Sequence, residues 1–105
     1  MNIEGLNMHI KKTDREFWDI SDSFIDLANN YSSTVDYGKV SAAFLYAAAR
    51  FNSFTVWAAA DNIAEFKSEK NVARENFCND YKKLLTENLD DFEANFDKYR
   101  TENKL

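Results

Sequence analysis

Apolar residues recur along this chain at three- and four-residue steps, the period of an α-helix rather than the alternation of a strand. The first run is Phe17, Ile20, Phe24, Leu27 and Tyr31, with Asp19, Asp22 and Asp26 on the opposite side. This spacing predicts an amphipathic helix from about Asp14 to Tyr31 that lies against something. The stretch before it, "TDRE" (Thr13 to Glu16), matches the S/T-x-x-E capping box, in which Thr13 accepts from the amide three residues on and Glu16 reaches back. A polar segment, "NNYSSTVD", ends on Asp36, a good N-cap for a second helix reaching about Asn62. "KSEKN" (Lys67 to Asn71) reads as the turn into a third. That third pattern starts near Ser68 and aligns Phe77, Tyr81, Leu84, Leu85, Phe92, Phe96 and Tyr99. At roughly four heptads it exceeds an ordinary helix, so a break is expected around "TENLDD" (Thr86 to Asp91). Asn88 then caps a further helix from Leu89; alternatively Asn88 and Asn95 are buried polar residues that fix register.

The second helix contains the most unusual stretch, "KVSAAFLYAAARFNSFTVWAAAD" from Lys39 to Asp61, where Arg50 is the only formal charge between Val40 and Ala60. A membrane span needs about 20 predominantly apolar residues. Here Arg50 sits at the midpoint, where insertion costs roughly 2.5–3.5 kcal/mol, and Ser41, Asn52, Ser53 and Thr55 add to the cost. The segment therefore reads as part of a water-soluble fold. At 100° per residue one face holds Val40, Ala43, Phe44, Ala47, Phe51, Phe54 and Ala58, and a roughly opposite face holds Ala42, Leu45, Ala49, Val56 and Ala60. A helix apolar on two sides belongs between other elements. A third strip, Tyr46, Arg50, Ser53 and Trp57, follows at i, i+4, i+7 and i+11. In one reading Arg50 pairs with a carboxylate of the first or third helix and the rings cover the core edge. In the other the strip meets a partner, since Tyr, Arg and Trp are the residues enriched at binding hot spots.

Composition narrows the fold. The chain has 105 residues, no proline and two glycines, too few turn formers for a small β-sandwich or a doubly wound sheet. An all-α fold is expected: a three-helix or four-helix bundle with an alanine-rich central helix. Residues 13–100 form a single helical domain, 1–12 a flexible N-terminal segment and 101–105 a flexible tail. Net charge is -5, a surface that phosphate backbones repel, and no basic run exists to attract anionic lipids. Neither nucleic acid nor membrane is an expected partner. "MNIEGLNMHIKK" lacks the apolar run of a signal peptide, and one cysteine, Cys78, fits a reducing compartment, so a cytoplasmic address is expected.

Catalytic chemistry is hard to find. The one histidine, His9, lies in the N-terminal segment, and Cys78 borders the third apolar stripe as an inert packing residue, so no base–nucleophile pair exists. The carboxylates of "LDDFEANFD" (Leu89 to Asp97) suit a hard cation by type, yet helical di-iron sites need Glu-x-x-His pairs, which are absent. They read as a solvated face. No catalytic residue, metal site or cofactor is expected.

Three stretches carry a resemblance: "DREFWDISDSFIDLANN" (Asp14 to Asn30), "VDYGKVSAAFLYAAARFNSF" (Val35 to Phe54) and "ENLDDFEANFDKY" (Glu87 to Tyr99). Together they resemble a small bacterial family known as domain of unknown function 3144. The most distinctive piece is "SAAFLYAAARFNSF" (Ser41 to Phe54). The resemblance implies a short, all-helical bacterial protein and carries over no catalytic residue. Three functional readings follow from the residues. The first is a helical protein-interaction module, most simply a homodimer, meeting its partner through Tyr46, Arg50, Ser53 and Trp57. The second is a binder of small acidic metabolites that uses Arg50 in an aromatic groove between the second and third helices. The last is a metal-assisted enzyme built around Asp90 and Asp91.

Overall fold

Three of the four helices begin on an Asp or Asn whose side chain caps the first turn. The structure, a computed structural model, describes residues 11–102. Among these it is all-α: α1 spans Arg15–Ser32, α2 Tyr37–Ala59, α3 Ile63–Ala94 and α4 Phe96–Glu102. Asp14, rather than Thr13, caps α1 by accepting from the Phe17 amide at 3.0 Å. Its carboxylate can make the same bond as a threonine hydroxyl and adds a full negative charge at the positive end of the helix dipole. Asp36 accepts from the Gly38 and Lys39 amides at 3.0 and 3.3 Å, and Asn62 from the Glu65 amide at 2.9 Å.

The third helix departs from expectation at both proposed interruptions. The turn before it is at residues 60–62, not at 67–71, and α3 runs for 32 residues without a break, about 48 Å. In "KSEKN" the Ser68 hydroxyl donates to the Glu65 carbonyl at 2.8 Å and Asn71 Oδ1 accepts from Arg74 at 2.7 Å. These polar groups are satisfied on the helix surface and have no need of a turn. Asn88 is likewise no cap: its amide donates to the Leu84 carbonyl one turn back at 2.7 Å, and the residue is exposed rather than buried. The chain breaks instead at Asn95, whose side-chain amide reaches Asp91 O at 3.1 Å and Asp91 Oδ1 at 3.0 Å. The short α4 then folds against the end of α3. Tyr99 donates its hydroxyl to Asp91 Oδ2 at 2.9 Å, and its ring meets Phe92 edge-on at 5.1 Å.

Helices α1 and α3 each pack against α2 and not against one another, so α2 is central, as its composition demands. The four helices do not enclose a shared core. Among the described residues only Val56 (8% exposed) and Ala73 (4%) are buried apolar side chains. On α1 the half-buried residues are Phe17, Ser21, Ala28 and Ser32. Of the stripe expected to be covered, Phe17 is half-buried, but Ile20, Phe24, Leu27 and Tyr31 lie off the line of Ser21, Ala28 and Ser32, about 100° round the helix, and each of these four is more than half exposed. Small residues on the covered line let α1 approach α2 closely while Phe24 still reaches Phe44 at 6.4 Å between ring centroids. Cys78, expected to be packing, is exposed. His9 and most of the 1–12 segment lie outside the described residues. Of the 101–105 tail, Thr101 and Glu102 belong to α4.

Two outcomes follow. Replacing Asp36 by Ala removes the oxygen that serves two amides, and chemical denaturation should show a loss of about 1 kcal/mol, with Asp36→Asn nearly neutral. Tyr99 is held protonated by the carboxylate to which it donates, so its pKa is raised above the usual value. The stabilisation from this bond is complete below the ordinary tyrosine pKa of about 10 and is lost as pH rises through the raised value. An absorbance titration should show one tyrosine ionising later than the others, and Asp91→Asn should lower that pKa.

Candidate functional site

The central helix carries two heptad-like seams, the first covered only at its N-terminal end and the second over about half its length. In Val40, Phe44, Ala47, Phe51, Phe54 and Ala58 the steps are 4, 3, 4, 3 and 4; in Ala42, Leu45, Ala49, Asn52 and Val56 they are 3, 4, 3 and 4. This is the spacing by which a helix presents knobs to a neighbour. The first seam is covered at its N-terminal end, where Val40 is half-buried and Phe44 meets Phe24. Its C-terminal end is open: Phe51 is 64% exposed and Phe54 half exposed. The second seam is covered at the opposite end, where Asn52 is half-buried and Val56 buried, while Ala42, Leu45 and Ala49 are open. The expectation that both apolar faces are filled is therefore corrected. Every residue from Ser41 to Phe51 is exposed, three turns of helix with a single charge.

The strip of Tyr46, Arg50, Ser53 and Trp57 lies within this open region, and all four side chains are exposed. Arg50 makes no ion pair among the described residues, so the pairing with a carboxylate of α1 or α3 is not what the structure shows. Nor do the rings close a core edge: Tyr46 and Trp57 are both mostly exposed. Ser53 donates back to the Ala49 carbonyl at 2.8 Å, which satisfies its hydroxyl within the helix. Trp57 is also the end of an aromatic ladder: Phe51 and Phe54 are 5.7 Å apart between centroids, and Phe54 and Trp57 5.9 Å. Sequence reasoning assigned Phe51 and Phe54 to a covered face. No signal in the sequence marks them as open, because which face α1 turns to α2 is set by packing.

Elsewhere the polar groups serve the fold. Asp91 holds Asn95 and Tyr99, and among the described residues no three His, Cys, Asp or Glu side chains group to hold a metal ion. Nor is any described helix long and apolar enough to cross a membrane. Asp80 Oδ2 is shut off from solvent without a hydrogen-bond donor among the described residues, where an unmet acceptor costs about 1–3 kcal/mol. It marks the end of the covered part of α3: residues 65, 66, 73, 76, 77 and 80 are at least half-buried, whereas everything from Tyr81 to Ala94 is exposed.

Comparison with known proteins agrees with this architecture and adds no activity. No curated protein matches the chain. A solved structure, the NMR structure of the protein NB7890A from Shewanella sp, superposes with a TM-score of 0.69 at 27% identity, covering 90% of this chain and all of the other. The family model described as protein of unknown function, DUF3144, matches residues 17–92, which takes in nearly all of α1, the whole of α2 and most of α3. With well over half its length inside that match, the chain belongs to the DUF3144 family of proteins of unknown function.

Proposed function

We propose that this protein is a helical interaction module that works as a homodimer, with Tyr46, Arg50, Ser53 and Trp57 in the contact and Phe51 and Phe54 beside them. The observation that carries this reading is the open run from Ser41 to Phe51 on a helix that is apolar on more than one side. Such a helix is stable in water when other helices surround it. Exposed apolar side chains support the same reading: on α2, Leu45, Tyr46, Phe51, Phe54 and Trp57 are each half exposed or more, and exposed apolar surface of this kind marks interaction sites.

The strip also suits a two-fold axis. If two copies of α2 cross antiparallel about the midpoint of the strip, Tyr46 of one faces Trp57 of the other and Arg50 faces Ser53. The two cations are then offset rather than opposed. One exposed thiol fits a reducing compartment, in keeping with a cytoplasmic protein.

Sedimentation equilibrium over about a hundredfold range of concentration around 1 μM spans a moderate dimer affinity. It should give twice the chain mass at the upper end. Trp57→Ala should weaken association by more than about 1 kcal/mol while leaving the helical circular dichroism unchanged. A chain that is monomeric throughout, or a Trp57 variant that loses stability with its association intact, contradicts the proposal.

A further inference from the structure

Two apolar stripes remain uncovered outside α2, and they match. On α1 it is Ile20, Phe24, Leu27 and Tyr31; on the distal half of α3 it is Leu85, Leu89 and Phe92, continued past the break at Asn95 by Phe96 of α4, over whose ring Arg100 lies at 4.6 Å. Both have steps of 4, 3 and 4 in the sequence, and the part of the second that lies within α3 extends about 10 Å. We infer that in the dimer the distal half of α3 from each copy packs on the α1 stripe of the other, so that two such contacts flank the α2 contact. This rests on the homodimer reading above and specifies which further surfaces the second copy covers.

Among the described residues nothing in the same chain covers either stripe along its length. Helix α3 outruns α2 by nine residues, 32 against 23, and its covered part ends at Asp80. Beyond that point α4 touches one side of Phe92 through Tyr99, yet residues 81–94 all remain exposed. No Cα atom of α1 comes within 8 Å of one in α3.

Charge favours a second copy in spite of the net -5. The positions flanking an apolar seam decide whether two helices repel one another. Beside the α1 stripe these are Ser21, Ser23, Ala28 and Asn30, with Asp19, Asp22 and Asp26 on the far side. Beside the α3 stripe they are Thr86, Asn88, Glu93 and Asn95. One charge among eight flanking positions leaves no like-charge pair across the contact. An antiparallel arrangement sets Phe24, Leu27 and Tyr31 opposite Phe92, Leu89 and Leu85, and opposes the helix dipoles favourably.

The test uses the full chain with Cys78→Ser and two single-cysteine variants, Leu27→Cys and Leu89→Cys. The two are refolded together and mildly oxidised. The inference expects a disulfide-linked dimer containing one chain of each kind, at least about tenfold more abundant than like-with-like products, because only the mixed pair brings the thiols within bonding distance. Leu89→Glu serves as the second variant. Leu89 is exposed in the single chain, so its helicity should persist, whereas the charge buried at the contact should raise the dimer dissociation constant at least about tenfold. If sedimentation shows a dimer while neither the mixed disulfide nor the Leu89→Glu effect appears, this inference is overturned and the α2-centred dimer stands. If the chain is a monomer, both fall together.

Discussion

A helix that is apolar on two sides has to be enclosed, and much of this structure follows from having such a helix at its centre. From Val40 to Ala60, α2 offers two seams of alanine, leucine, valine and phenylalanine. Water accepts one polar face on a helix, not a surface that is apolar nearly all round. The chain supplies one neighbour for each seam, but α1 covers only the N-terminal end of the first, and α3 covers only one end of the second before continuing past it. What remains is an open middle on α2 and two open stripes at the periphery. Fully burying a large apolar side chain contributes about 1.5–3 kcal/mol, and most of those in this chain stand partly in water. A single copy thus leaves unused much of the stabilisation that its composition provides.

The connectors explain why the chain cannot close on itself. Four residues join α1 to α2 and three join α2 to α3. Connections this short make neighbouring helices antiparallel and fix their register. The caps fix where each helix begins, at Asp14, Asp36 and Asn62. With starts and connectors set, unequal helix lengths translate directly into overhang. Among the described residues the distal half of α3 therefore has neighbours only at its α4 end, where Tyr99 and Asp91 pin the last turn.

Much of this was legible in the sequence, and the rest failed for physical reasons. The all-α class, the span of α1, the Asp36 cap and the central place of α2 follow from periodicity and turn chemistry. The third helix was misplaced because Ser68 and Asn71 look like turn residues until their local hydrogen bonds on the helix surface are seen. Thr86 and Asn88 were misread for the same reason: each donates back to a carbonyl four residues earlier. On α1 the apolar stripe was legible, but its use was not. The line that faces α2 contains serine and alanine, because close helix approach rewards small residues that hydropathy overlooks. The strip on α2 was recognised as distinct from both seams. Its extension to Phe51 and Phe54 depends on which face α1 turns to α2, a tertiary fact that no wheel of α2 contains.

The central claim is that folding of this chain is completed by a second copy, and the concentration dependence of thermal unfolding tests it most directly. Circular dichroism at about 1 μM and at about 100 μM compares the two cases. A fold completed by association gains about 2.7 kcal/mol over that range, a rise in midpoint of several degrees. The same midpoint at both concentrations would show that one chain folds alone, with its central helix left open to water.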